Sequence, residues 1–240
     1  KLVSVDASAG LAEVEPGIVL DDLNRALKPH GLWVPVDVST SSRATIGGMA
    51  GNNSCGSRSI RYGTMRDNVL AIDAVLADGA EMHFGAITAA EAAQLQGRTG
   101  DMVRQLMALG AAEADEIRAR FPDLMRRVGG YNIDALLPGN NINLSHLLVG
   151  SEGTLAHSQK LRLKLSPLAT NKALGVCHFP SFYQAMDAAQ HLVKLNPVAV
   201  ELVDDTMIAL ARDIPMFKAT VDRFVEGQPA ALLLVEFAEV

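Results

Sequence analysis

Hydrophobic and polar positions change period several times along the chain, and each change predicts an element. Residues 1–6 alternate like the interior of a strand, and 12–15 repeat the pattern before Pro16-Gly17 closes it. In 19–28 the apolar residues Val19, Leu20, Leu23 and Leu27 share one helical face, which Pro29 and Gly31 stop. Period two returns in 70–76 and 81–84, and the Asp78-Gly79 pair between them is a strong hairpin signal. Residues 88–128 are rich in Ala, Leu, Glu, Gln and Arg, with Val103, Leu106, Met107, Ile117 and Phe121 at helical spacing. Two helices with a core-facing stripe are predicted there, ended by Gly129-Gly130, and 137–141 reads as a turn. In 154–165, Leu161, Leu163 and Leu165 alternate with Lys160, Arg162 and Lys164, the signature of a strand with one buried face.

Beyond Pro167 the texture shifts. A turn-rich stretch (167–171) leads into a strand (173–179), a helix (181–194), a strand (198–203), a short helix near 206–211 and a strand (230–237). This β-α-β-(α)-β order reads as the start of a second α+β unit. The expected fold class is therefore α+β. Because strand-like alternation is under way at Lys1 without an initiator methionine, the native protein is expected to begin upstream.

Composition narrows the function classes. With 49% hydrophobic and 20% charged residues, the chain has the balance of a folded, water-soluble protein. Its 21 basic and 27 acidic residues are scattered, for a net charge of −6, so no nucleic-acid partner is expected. Arg118, Arg120, Arg126 and Arg127 are interleaved with acids and read as the solvated face of a helix. Cys55 and Cys177 are too few for a disulfide framework or for a cysteine-rich zinc or iron–sulfur site, and a reducing, cytoplasmic setting is the default. No run approaches the roughly 20 apolar residues of a membrane-spanning segment.

The candidate chemistry lies in residues 44–63, where Gly47, Gly48, Gly51, Gly56 and Gly63 are mixed with Thr45, Asn52, Asn53, Ser54, Ser57 and Tyr62. Lacking a Cβ, glycine lets main-chain N–H groups approach a phosphate or a planar ring and permits positive φ. Twenty residues of plain loop would be unusual inside a compact domain, so a ligand cradle is the expectation. The run contains neither Gly-x-x-x-x-Gly-Lys-Ser/Thr nor a Gly-x-Gly-x-x-Gly at a strand-to-helix turn, which leaves a P-loop or Rossmann site unsupported. Ser54 follows its glycine by three residues rather than two, against a hydrolase elbow.

Pro35-Val-Asp37, Ala44-Thr-Ile-Gly-Gly48, Asn53-Ser-Cys-Gly56, Arg61-Tyr-Gly63 and Arg66-Asp67 together resemble the second FAD subdomain of the vanillyl-alcohol oxidase/PCMH flavoprotein family. Gly150-Ser-Glu-Gly-Thr-Leu155, about a hundred residues later, looks like that family's second signature, and Gly129-Gly-Tyr-Asn-Ile-Asp134 lies between the two. The resemblance is nearest to the FAD-linked D-lactate, glycolate and D-2-hydroxyglutarate dehydrogenases. The Asn-Asn-Ser-Cys-Gly form is similar to large fusions that also carry an iron–sulfur module.

The resemblance implies a PCMH-type subdomain over 1–168, a mixed or antiparallel sheet with flanking helices and a helical insert at about 86–128. The start of an α+β cap domain would follow over 172–240. It implies FAD as cofactor, with Thr45, Ile46, Gly47 and Gly48, and Gly51, Asn53, Ser54, Gly56 and Ser57, lining the pyrophosphate and flavin, and with Pro35, Tyr62 and Gly63 nearby. Glu152 and Gly153 would sit at the adenosine end or its supporting loop. For Glu152 a carboxylate that caps neighbouring amides is the alternative. His157 stands where the family carries an aliphatic residue and is a further cofactor candidate. The implied reaction oxidises a 2-hydroxy acid to a 2-oxo acid, with a quinone, a cytochrome or an iron–sulfur module as electron acceptor and a location in the cytoplasm or peripheral to a membrane. The family's other FAD subdomain is expected before Lys1, and its histidine and glutamate cluster after Val240. The six histidines, 30, 83, 146, 157, 178 and 191, show no paired metal-ligand spacing, and neither a metal site nor a catalytic base is assigned. Two alternatives stand beside this reading: a folded scaffold that binds no cofactor, and a nucleotide-binding or hydrolytic protein with a similar glycine loop.

Overall fold

The computed structural model describes residues 1–139 and 142–240. They form two units: 1–56 with 62–168, and 57–61 with 169–240. Both are α+β with antiparallel sheets, the class the pattern predicts.

The first unit is built on strands β1 (Leu2–Asp6), β2 (Leu11–Val14), β3 (Val69–Leu76), β4 (Glu81–Phe84) and β5 (Ala156–Lys164), in the sheet order β1-β2-β5-β3-β4. Registration carries one buried row across four strands, Val14 beside Leu161, Leu161 beside Ile72 and Ile72 beside Phe84, each at most 3% exposed. The opposite face is charged: Asp73 pairs with His83 at 2.6 Å and with Lys160 at 3.7 Å. One dry face and one wet face is what the period-two pattern of β5 requires. The hairpin between β3 and β4 turns at Gly79, whose φ is +83°, with the Leu76 amide donating to the Ala80 carbonyl.

The Leu20–Leu27 helix buries Leu20, Leu23 and Leu27, carries Asp21 and Asp22 in its first turn where they favour the helix dipole, and ends through a short 3₁₀ turn at Gly31. In the helical region the structure has three helices rather than two: Ala89–Gln94, Gly97–Ala112 and Ala114–Arg120. Extended backbone at Leu95 and Gln96 interrupts the first pair, and Glu113 leaves helical geometry between the second. Val103 and Ile117 are buried as predicted, whereas Phe121 lies just past the last helix in extended backbone. The predicted 137–141 turn ends on Asn140 and Asn141, which lie outside the described residues.

The arginine group departs from its expected role. Arg118 and Arg120 are exposed and pair with Asp115 and Glu116 along the helix, as expected of a solvated face. Arg126 and Arg127 lie beyond the helix end. Arg126 donates to the Gly56 carbonyl, and the Arg127 side chain is only 16% exposed, stacked over Phe121 and paired with Asp134.

The second unit has β6 (Asn171–Phe179), β7 (Ala199–Asp204) and β8 (Ala231–Glu239) in the order β6-β8-β7. The central β8 is covered on both faces. Ala231, Leu233 and Val235 pack with Ala185 of the Phe182–Leu192 helix, and Leu232 packs with Ile208 of the Asp205–Asp213 helix. Burial on two sides explains the unbroken apolar run over 230–235. Ser181 and Asp204 cap the two helices by accepting from Gln184 and Met207 amides. A third helix, Pro215–Val221, was not anticipated; its proline occupies the first turn, where the missing N–H costs nothing. Residues 57–61 belong to this unit: Arg58 grips the Glu236 carboxylate with two nitrogens at 3.0 and 3.1 Å, and Arg61 donates to the Ala238 and Asn196 carbonyls.

Candidate functional site

The glycine run is not a continuous loop. It contains two short helices, Ile46–Gly51 and Ser59–Tyr62, and a third, Met65–Asn68, follows it. Glycine is a poor helix former, so the first of these depends on its ends and on tertiary packing. Thr45, in extended backbone, accepts from the Gly48 amide through Oγ1 at 3.3 Å. Ile46, Met49 and Ala50 point into the core. Gly47 backs onto Pro16 so closely that a Cβ would lie 2.5 Å from the proline Cβ. At the other end the Ser54 amide donates to the Met49 carbonyl and the Asn53 amide to the Ala50 carbonyl, with Asn53 itself left-handed at φ +48°. This is a Schellman closure with asparagine in the place usually held by glycine.

The second signature docks onto that closure. After the Ser145–Leu148 helix the chain turns through Gly150, Glu152 and Gly153 at φ of +84°, +53° and +73°. The Gly150 amide donates to the Ala50 carbonyl at 2.9 Å and the Glu152 amide to the Gly51 carbonyl at 3.0 Å. Two segments a hundred residues apart are thus clasped by backbone hydrogen bonds at the end of one helix. Ser151 and Thr154 stiffen the turn by donating to the Leu148 and Ser151 carbonyls at 2.8 and 2.6 Å.

Along this clasp runs a cavity of about 320 Å³. Of the residues expected at a cofactor, Thr45, Gly47, Gly48, Gly51, Gly153 and His157 line it. Its walls also include Pro16, Ser158 and, from within the second signature, Ser151, none of which was assigned to the cofactor from the sequence. Apart from His157 the lining carries no ionisable side chain; it offers main chain, three hydroxyls and small apolar surface. A Cβ at Gly153 would meet nothing within 4 Å, so that turn faces open space. The lining therefore fits a phosphate- or ring-bearing cofactor held by uncharged donors. The volume is near the lower end of the roughly 300–1,000 Å³ of small-molecule sites, enough for part of a dinucleotide.

The other expected residues lie elsewhere. Ile46 is fully buried in the core, Pro35 is buried, and Tyr62 meets Trp33 edge-on at 5.6 Å. A Cβ at Gly56 would overlap the Asp37 carbonyl, and one at Gly63, φ +73°, would overlap the Asp67 carboxylate that accepts from the Thr64 amide. Ser57 is in the second unit. Ser54 is buried and accepts from Asn52 Nδ2. The Glu152 side chain is exposed and makes no hydrogen bond or ion pair among the described residues, so it does not cap neighbouring amides.

Behind the clasp is a polar network that the sequence reading missed. Asp134 takes Arg66 on one carboxylate oxygen at 2.8 Å and Arg127 on the other at 2.7 Å. Arg66 Nη1 also reaches Asn132 Oδ1 at 3.3 Å, and its Nε reaches His146 Nδ1 at 3.4 Å. Asn53, 1% exposed, accepts from the Arg66 amide at 2.9 Å and donates to the Arg127 carbonyl at 3.3 Å. Asn132 donates to the Val149 carbonyl at 2.8 Å, immediately before the second signature. Burial, reinforced by the Arg66 charge, lowers the His146 pKa to about 4, so at neutral pH the ring is uncharged and can accept from Arg66. The signal available in the sequence was the polar Asn132 and Asp134 in a segment between the two signatures.

Among the described residues no cluster of His, Cys, Asp or Glu could hold a metal ion, and no helix is long and apolar enough to cross a membrane.

Comparison with known proteins gives two domain matches in chain order. Residues 1–85 match the FAD binding domain, and residues 168–240 match the C-terminal domain of FAD linked oxidases. The chain is 32% identical over 243 residues to a D-2-hydroxyglutarate dehydrogenase of Pseudomonas putida, a match covering 98% of the chain and 24% of that protein. It is 34% identical over 197 residues to a probable mitochondrial D-lactate dehydrogenase of Danio rerio, covering 81% of the chain and 30% of the relative. The chain thus spans 24% and 30% of the length of these relatives. Among solved structures, an alkyldihydroxyacetonephosphate synthase superposes over 99% of the chain and 36% of its own, with a TM-score of 0.66 at 19% identity, a likeness of fold. Two domain matches in this order on this fold are what link the chain, by similarity, to the FAD-linked oxidases.

Proposed function

We propose that the cradle forms one wall of an FAD site in an enzyme that oxidises a 2-hydroxy acid of the D-2-hydroxyglutarate, D-lactate or glycolate type to the 2-oxo acid. The observation that carries this reading is the clasp of Gly150 and Glu152 onto Ala50 and Gly51, which makes one cavity from two separate signatures. Thr45, Gly47, Gly48, Gly51, Ser151, Gly153, His157 and Ser158 would hold the cofactor through main chain, hydroxyls and one imidazole. Gly56, Ser57, Tyr62 and Gly63, with Pro35, are assigned as neighbours of the flavin, and Ile46, Asn53 and Ser54 as the support that fixes the wall. FAD, when bound, supplies the ring that accepts a hydride from the substrate's α-carbon. The chain's own residues orient that cofactor and keep water from one side of it. Residues 1–168 are read as the FAD subdomain and 172–240 as the beginning of the substrate-side cap. A quinone, a cytochrome or an iron–sulfur module would carry electrons away. The two unpaired cysteines favour a reducing, cytoplasmic compartment.

The test is spectroscopic. Native, flavin-loaded protein should lose its flavin absorbance under anaerobic conditions on addition of a D-2-hydroxy acid, with recovery of the matching 2-oxo acid. Absorbance that persists with D-2-hydroxyglutarate, D-lactate and glycolate alike would overturn the substrate assignment.

A further inference from the structure

We propose that Asp134 is a positioning residue for the cofactor cradle, acting through Arg66 and Arg127 on Asn53 and through it on the Gly150–Gly153 turn. The proposal rests on the reading of the cradle as an FAD site.

The path from Asp134 to the cavity is continuous and short. Its two carboxylate oxygens are divided between two guanidinium groups, one hydrogen-bonded to Arg66 at 2.8 Å and the other in an ion pair with Arg127 at 2.7 Å that lacks hydrogen-bond geometry. Both arginines also hold Asn53, and they do so through main-chain atoms. The Arg66 amide donates to Asn53 Oδ1, and the Arg127 carbonyl accepts from Asn53 Nδ2. Asn53 is the left-handed residue that closes the Ile46–Gly51 helix, so its placement sets where the Ala50 and Gly51 carbonyls point. Those carbonyls receive the Gly150 and Glu152 amides. Gly150 also packs beside both asparagines: a Cβ there would lie in ordinary contact, at 3.4 Å, with Asn53 and Asn132.

The charge arithmetic makes Asp134 the sensitive member. Arg66 and Arg127 supply two positive charges and Asp134 one negative, with side-chain exposures of 22%, 16% and 21%. His146, held neutral beside Arg66, adds no further positive charge at neutral pH. Replacing Asp134 by Asn would leave two sheltered guanidinium groups facing each other without a counter-ion. Their separation would pull Asn53 from both sides and loosen the clasp, while the buried Val14–Leu161–Ile72–Phe84 row has no part in the path. An ion pair that merely stabilises the fold would lack this selectivity.

The experiment compares the wild type with Asp134→Asn by amide hydrogen exchange and by FAD fluorescence titration. The expected result is exchange at the Gly150 and Glu152 amides faster by about tenfold, with the Leu161 and Leu163 amides unchanged, and FAD affinity weaker by a similar factor. Uniform acceleration over all four amides, or no change at Gly150 and Glu152, would overturn the proposal. Should Asp134→Asn fail to fold, Arg127→Gln removes one link and keeps the Arg66–Asp134 pair; it should accelerate the same two amides by a smaller factor, and unaltered amides in it refute the idea. If the wild type takes up no FAD, the FAD-site reading fails, while the exchange measurement still decides whether Asp134 positions the turn.

Discussion

The five-stranded sheet and the cradle at the start of β5 belong to one unit and are held by opposite means. The sheet is closed by apolar side chains in register, such as the Val14–Leu161–Ile72–Phe84 row. In the cradle, few side chains reach the cavity; glycine brings main chain to its surface, and asparagine, arginine and aspartate fix that main chain from behind. Apolar burial is non-directional and tolerates small displacements, whereas a site that presents amides to a ligand needs fixed orientation. The difference teaches where this molecule spends stability on packing and where on geometry, and mutations should divide along the same line.

The largest expected effect is on the packed side. Leu161→Ala removes a fully buried side chain from the centre of the row and should cost about 2–5 kcal/mol. Trp33, the single tryptophan, lies in the same unit and reports its unfolding, so guanidinium titration by fluorescence should show an earlier midpoint with an unchanged slope. A loss below about 1 kcal/mol would mean that the row relaxes around the cavity, and the contrast with the cradle would weaken.

That contrast also decides what was legible in the sequence. The alternation of Leu161 and Leu163 with charged residues announced a one-faced strand, and the unbroken apolar run at 230–235 a strand covered on both faces. Both are statements about local period. The glycines at 47, 48 and 51 announced that backbone would come to a surface, because no side chain was there to prevent it. The helix they form was not legible, since propensity argues against it and its support comes from Pro16, Thr45 and the core. Nor was the Asn53–Arg66–Asp134–Arg127 network, whose members are spread over eighty residues and leave no periodic trace. Arg127 looked solvated because charge patterning along the chain carries no information about Phe121 and Asp134 folding over it.

On the cradle side, Gly150→Ala should come next in size. Surrounding atoms would leave a methyl group in ordinary contact, at 3.4 Å from Asn53 and Asn132, so the cost arises from φ +84° rather than from overlap. A left-handed alanine should cost about 1–2 kcal/mol. The distinguishing outcome is a loss of FAD affinity larger than the loss of stability, measured by titration beside unfolding. Equal losses would make Gly150 a fold residue like Leu161 and blur the division.

The His146 ring offers a reagent-free probe of the same network. Its folded pKa of about 4 lies below the ordinary 6.5, because burial and the Arg66 charge resist protonation. Between those values the unfolded chain binds more protons, so stability from this group is fully present above about pH 6.5, falls as pH drops and levels off below about 4. The shift at 1.36 kcal/mol per unit, discounted because part of the ring stays in water, gives about 1–2 kcal/mol over that window. His146→Gln should flatten this part of the pH profile, read by unfolding at fixed denaturant. A profile unchanged by the substitution would detach His146 from the network.

The smallest expected effect is the sharpest test of the comparison, because it alters one hydrogen bond and no apolar area of consequence. Thr45 Oγ1 accepts from the Gly48 amide at 3.3 Å, a long cap bond, so Thr45→Ala should cost about 0.5–1 kcal/mol, the low end for an N-cap. Thr45→Ser keeps the oxygen and gives up only the methyl group, and should restore most of that loss. If the Ile46–Gly51 helix is held as a surface for a ligand, the alanine variant should weaken FAD binding while the serine variant binds like the wild type. Should serine and alanine behave alike, the Thr45 methyl group packed in the wall would be the contributing part, and the cradle would depend on apolar contact in the same way as the sheet.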